Sequence, residues 1–68
     1  MTPGQRLKQA RTAQRLSRRV LAEKSGVAYN SILQYEHDKV EPSLFAATCL
    51  ADALGISLDW IAGRTKDT

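Results

Sequence analysis

Cysteine and histidine are nearly absent from this chain of 68 residues, each occurring once, as Cys49 and His37. A single cysteine excludes a disulfide within the chain. One cysteine and one histidine also leave too few ligands for a metal site, so we interpret the pair His37–Asp38 as solvated surface and expect no metal. Because Leu50 follows Cys49, the thiol is interpreted as a small apolar side chain inside a helix.

Long apolar runs are missing as well, and no segment approaches the roughly 20 apolar residues that cross a membrane. The first ten residues contain Arg6 and Lys8 without an apolar run after them, so no export signal is predicted and a cytoplasmic protein without a membrane partner is expected. No nucleophile and base stand at plausible positions, and a chain this short has little room for a pocket. We therefore expect no enzyme, no catalytic residue, no cofactor and no small-molecule substrate.

Positive charge is present in excess, and it is unevenly distributed. The net charge is +3. Residues 1–35 contain seven arginines and lysines against the single acid Glu23, a net charge of +6, whereas residues 36–68 carry −3. A basic half of this size favours a polyanion such as nucleic acid as the partner.

Strand-like alternation of apolar and polar residues is absent, and helix signals recur along the chain. The expected helix caps are Thr2, Ser17, Ser43 and Ser57, and the expected helix-ending glycines are Gly26, Gly55 and Gly63. These signals predict an all-α fold of five helices in one domain, 1–68, with a frayed tail at 64–68. In the fourth helix, the spacing predicts a buried stripe of Leu44, Ala47, Leu50, Ala51 and Leu54.

The second and third predicted helices are short and are separated by a turn that begins at Gly26, which is typical of a helix-turn-helix unit, at about residues 18–37. Ala22 is small enough for the two helices to cross closely, and Val27, Ile32 and Tyr35 are expected to anchor the third helix on the second. The N-terminal outer side of the third helix then stays free. A DNA major groove, about 12 Å wide, accepts such a helix.

Three stretches of the sequence carry a family resemblance: RLKQAR, LSRRVLAEKSGVAYNSILQYE and PSLFAATCLADALGISLDW. In this order they are similar to the first helix, the central motif and the last two helices of the lambda-repressor-like (Cro/C1-type, Xre) helix-turn-helix domains. The resemblance covers nearly all of the chain. It implies a compact five-helix domain that binds double-stranded DNA and regulates transcription, as a repressor that acts as a homodimer on a palindromic operator.

The resemblance also implies roles for particular residues. Base edges would be contacted by Tyr29, Asn30, Ser31 and Gln34, and phosphates by Ser17, Arg18, His37 and Lys39. A structural ion pair is implied between Arg11 and Glu36. Tyr29 could instead cover the turn, but it stands at the start of the third helix, which favours contact with the groove.

The chain departs from the family pattern at three positions. Arg18, followed by Arg19, stands where the family usually has glutamine. Cations at a helix start oppose the helix dipole unless a phosphate binds there, so both arginines are interpreted as phosphate contacts. Ala28 replaces the usual serine or threonine cap of the third helix, and Arg15 replaces a glycine, which puts the path of that turn in question.

Several alternatives stay open on the sequence alone. A phage repressor, a restriction-modification controller and an antitoxin all fit the pattern. A different class is a protein-interaction module with the same fold that contacts a toxin or a polymerase. Trp60 lies off the stripe of Leu58 and Ile61, so the core and a dimer contact are both possible places for it.

Overall fold

The computed structural model describes residues 1–63, and within that range the chain forms five α-helices and no strand. The helices are α1 (Pro3–Ala13), α2 (Arg18–Ser25), α3 (Tyr29–Glu36), α4 (Leu44–Leu54) and α5 (Leu58–Ala62). The all-α, five-helix prediction is confirmed. The tail expected to fray, 64–68, lies outside the described residues.

Hydroxyl side chains cap four of the five helices, as the sequence predicts. Thr2 Oγ1 accepts the Gln5 N–H at 3.0 Å while Gln5 Oε1 accepts the Thr2 N–H at 2.9 Å, which is a complete capping box. Ser17, Ser43 and Ser57 each accept the N–H of the third residue that follows. The start of α3 differs, because Ala28 has no side chain to cap it.

The turn after α1 closes on an arginine in the left-handed region. Arg15 has a φ of 60°. Its N–H donates to the Thr12 carbonyl at 2.9 Å, and the Leu16 N–H donates to the Arg11 carbonyl at 3.2 Å. These are the two bonds of a Schellman motif, so Arg15 adopts the backbone conformation for which glycine is usually chosen.

The core is formed by side chains from all five helices. Those with no more than 1% of their surface exposed are Leu7, Leu21, Ile32, Leu50 and Ile61. Val27 and Tyr35 pack against this core and, with Ile32, hold α3 in place, as the spacing predicts. The outward side of α3 is therefore fixed by apolar packing.

Trp60 belongs to the core side of α5. Its ring packs partly buried against the core, and the Arg6 guanidinium carbon lies 5.3 Å from the ring centroid. Arg6 Nη1 also donates to the Trp60 carbonyl at 3.2 Å. These contacts tie α5 to α1 and favour the core over a dimer contact for this residue.

One residue of the predicted α4 stripe is not buried. Ala47, Leu50, Ala51 and Leu54 are buried, but Leu44 is 73% exposed, so the prediction was wrong at this position. Leu44 does face the same side as Ala47. There it borders a cleft of about 270 Å³ between the start of α4 and α5, which no described residue fills.

Gly4 allows α1 to approach the end of α3 closely. A Cβ at this position would overlap the carbonyl oxygen of Tyr35 and would lie 2.6 Å from a carboxylate oxygen of Asp38. Glycine is needed at this position because it lacks a side chain, and its φ is not in the left-handed region. The close approach brings the end of α3 within reach of Arg11 on α1.

Candidate nucleic-acid interface

The four residues predicted to contact bases lie on the first two turns of α3. Tyr29 and Asn30 are exposed, whereas Ser31 and Gln34 are half-buried. Ile32 lies between them and is completely buried. Within residues 1–63, no hydrogen bond engages the side chains of Asn30, Ser31 or Gln34, so their polar groups are available to a ligand.

The two arginines at the start of α2 reach opposite ends of α3. The Arg19 guanidinium carbon lies 5.6 Å from the ring centroid of Tyr29, the first residue of α3. Arg18 Nε donates to Oε1 of Glu36, the last residue of α3, at 2.9 Å. The start of α2 and the exposed side of α3 therefore form one continuous surface with cationic groups along it.

Glu36 accepts hydrogen bonds from two arginines on different helices. Arg11 donates from Nε to Oε2 at 2.7 Å and from Nη2 to Oε1 at 3.0 Å, a bidentate arrangement. Arg18 shares Oε1. The Glu36 side chain is fully buried, and that of Arg11 is 9% exposed. The predicted Arg11–Glu36 pair is therefore in direct contact. Arg18, for which the sequence predicts a phosphate contact alone, is the second partner of Glu36.

The other residues predicted to contact phosphates are exposed and stand before α2 or after α3. Ser17 uses its hydroxyl to cap α2 through the Val20 N–H. His37 is the C-cap that follows α3, and Lys39 comes after Asp38, whose φ is 60°. Ser17 therefore adjoins the start of α2, while His37 and Lys39 adjoin the end of α3.

Two features of the structure were not predicted from the sequence. The Arg18–Glu36 contact joins residues 18 apart, and no local pattern signals it. Phe45 is 78% exposed beside Leu44, so two large apolar side chains stand in solvent at the start of α4. Position on the stripe does not signal this exposure, because Ala46 also falls between Leu44 and Ala47 and is buried.

The described residues show neither a metal-binding cluster nor a membrane-spanning helix. Residues 1–63 contain no group of three or more histidine, cysteine or acidic side chains placed to hold a metal ion. No helix in the same range is long and apolar enough to cross a membrane.

Comparison with known proteins identifies the family. The family model described as Helix-turn-helix matches residues 7–61. The chain therefore belongs to the helix-turn-helix family, of the Cro/C1 type. The resemblance inferred from the three sequence stretches is confirmed, and so is the lambda-repressor-like architecture.

Three curated relatives illustrate the family. The chain is 41% identical over 63 residues to the HTH-type transcriptional regulator YobD of Bacillus subtilis (strain 168), which covers 93% of this chain and 56% of the relative. It is 38% identical over 64 residues to the immunity repressor protein of Bacillus phage phi105, covering 94% and 44%. It is 40% identical over 58 residues to the HTH-type transcriptional regulator PuuR of Escherichia coli (strain K12), covering 85% and 31%.

The chain spans between 31% and 56% of the length of these three relatives. All three are regulators or repressors by name. No solved structure gives a significant match.

Proposed function

We propose that the chain binds double-stranded DNA sequence-specifically and represses transcription by occupying an operator, which places its action in the cytoplasm. One observation carries the proposal. The first two turns of α3 are held by buried Ile32, present polar side chains without partners in residues 1–63, and are bordered by Arg18 and Arg19. A short helix with this distribution of apolar and polar residues suits the major groove.

The proposed contacts divide into base and phosphate contacts. Tyr29, Asn30, Ser31 and Gln34 contact base edges, where asparagine or glutamine can bind adenine N6 and N7 in a bidentate manner. Phosphates are bound by Ser17, Arg18, Arg19, His37 and Lys39. Phosphate contacts supply most of the affinity and base contacts most of the discrimination.

A homodimer on a palindromic operator is the proposed assembly. A helix of eight residues is about 12 Å long and spans only about three to four base pairs. One copy therefore reads too short a sequence to select an operator, and a second copy related by a two-fold axis doubles the length that is read.

The experiment that tests the proposal is selection of bound duplexes from a random pool, followed by titration of a selected duplex at several salt concentrations. We expect a recurring sequence with two-fold symmetry and a steep loss of affinity with added salt. Selection that returns no common sequence would overturn sequence-specific binding.

A protein-interaction module, antitoxin-like or polymerase-contacting, is the second candidate function. The observation in its favour is the exposure of Leu44 and Phe45, two neighbouring apolar side chains at the start of α4. This function predicts no salt-dependent binding to any duplex. The titration therefore separates the two candidates.

A further inference from the structure

The hydrogen bonds around Glu36 use the two arginines differently. Each guanidinium nitrogen of Arg11 donates a hydrogen bond, because Nε and Nη2 donate to Glu36 and Nη1 donates to the Leu16 carbonyl at 2.7 Å. Arg18 donates only from Nε, and its side chain is 26% exposed. No acceptor within residues 1–63 engages its Nη1 or Nη2, so the outer edge of this guanidinium is open to a ligand.

The charges of this cluster do not cancel. Two guanidinium groups share one carboxylate, which leaves a net charge of +1. The bidentate contact with Arg11 already neutralises Glu36, and the charge of Arg18 is the one that remains without a counterion. An anion at the open edge of Arg18 would supply that counterion, and guanidinium groups bind phosphate oxygens through two parallel N–H bonds.

We infer that Glu36 is a positioning residue for phosphate binding: its carboxylate holds Arg18 by Nε so that Nη1 and Nη2 face a phosphate of the DNA backbone. This inference rests on the proposed function. A free arginine loses side-chain entropy when it binds a phosphate, and Arg18 has lost part of it already in the folded protein. Glu36 thereby increases DNA affinity although it carries the same charge sign as DNA.

The direction in which one substitution changes DNA affinity separates this role from a purely structural one. Glu36→Gln removes a negative charge beside a polyanion, so a structural residue would bind DNA equally well or better after the change. Glutamine has one acceptor oxygen, which the buried Arg11 takes, and Arg18 then loses its partner. We therefore expect DNA affinity to fall by about two- to tenfold. This loss corresponds to the entropy cost of ordering one side chain, Arg18, when DNA binds.

A double-mutant cycle with Arg18→Met completes the test. The probe is a mixed-sequence duplex about three helical turns long, titrated at several salt concentrations. Arg18→Met should lower the magnitude of the salt slope by about 0.9, one phosphate contact. In that background Glu36→Gln should no longer weaken binding. An equal effect of Glu36→Gln in both backgrounds would overturn the inference, because Glu36 would then act independently of Arg18.

If a thermal melt shows that Glu36→Gln does not fold, a second pair of variants tests the inference. Arg18→Lys keeps the charge but lacks the separate Nε donor, so affinity should fall about two- to tenfold with an unchanged salt slope. The matched control is Arg15→Lys, at an exposed arginine outside the interface, which should bind as the parent does. Equal affinities for all three proteins would refute positioning by Glu36. Absence of salt-dependent binding by the parent would instead refute the proposed function itself.

Discussion

At the scale of single residues, the buried ion pair predicts how strongly α1 is tied to α3. Arg11→Met keeps the length of the side chain but leaves the buried Glu36 with Arg18 as its one partner. We expect a loss of roughly 3 kcal/mol in the free energy of unfolding, because one partner of a buried pair is removed. Denaturant unfolding measures it. Arg18→Met is the control and should cost about 1 kcal/mol or less, because its side chain is 26% exposed. Equal costs would contradict this account of the pair.

Substitution of the polar residues of α3 should weaken specific binding to the operator more than nonspecific binding to DNA. Asn30→Ala and Gln34→Ala should each cost about 1 to 3 kcal/mol on the selected operator, since each removes hydrogen bonds to a base. Binding to mixed-sequence duplex should change little, because phosphate contacts remain. Titration of both duplexes with each variant is the measurement. If either affinity loss is the same on both duplexes, that residue does not read bases.

At the scale of elements, α3 begins less firmly than the other four helices. Ala28 has the extended backbone of a cap, with φ −60° and ψ 141°, but no side chain that accepts a hydrogen bond. Ala28→Ser should therefore satisfy an N–H of the first turn and raise the free energy of unfolding by about 1 kcal/mol.

Thermal melting checks the change at Ala28. A domain of this size gains about 4 to 8 °C per kcal/mol. Ala13→Ser, at an exposed position at the end of α1, offers no cap and serves as the control. A serine at residue 28 that leaves the melting temperature unchanged would mean that water already satisfies this helix start.

Much of each helix could be predicted from local signals, because caps, glycines and apolar spacing act within a few residues. Thr2, Ser17, Ser43 and Ser57 all cap helices, and Ile32 is buried where its spacing indicates. Contacts between helices could not be predicted in the same way. The stripe of α4 predicts which way Leu44 faces, but its burial depends on whether another element covers it.

The same limit applies to the candidate site. Which residues face outward on α3 follows from its apolar anchors, and the structure places Asn30, Ser31 and Gln34 without protein partners in residues 1–63. The second partner of Glu36 depends on how α2 crosses α3, which no spacing within either helix encodes. Gly4 is similar, because the need for glycine arises from the carbonyl of Tyr35 on another helix.

At the scale of the whole molecule, size and charge both bear on how one copy meets DNA. Residues 1–63 extend 33 × 23 × 19 Å, so the longest dimension matches about one turn of DNA, 34 to 36 Å. The basic residues are concentrated in 1–35, which contains α1, α2 and nearly all of α3. One copy is therefore no longer than about one turn of the duplex in any direction, which leaves the next turn on the same face for a second copy.

This geometry predicts the spacing of the operator. If two copies bind the same face about a two-fold axis, the half-site centres should lie about 34 to 36 Å apart, which is 10 to 10.5 base pairs. Inserting about five base pairs between the half-sites rotates one of them to the opposite face of the duplex. Two copies should then bind independently, with the affinity of a single half-site.

Titration of the selected operator, the operator with the insertion and an isolated half-site measures this, with sedimentation to count the copies bound. The expected result is cooperative binding of two copies on the selected operator alone. Because the insertion leaves both half-site sequences intact, any loss of affinity that it causes comes from the relative placement of the two copies. Equal affinity and stoichiometry on the selected and the lengthened operator would show that the copies bind without contact, and the proposed dimer would be wrong while sequence-specific binding would stand.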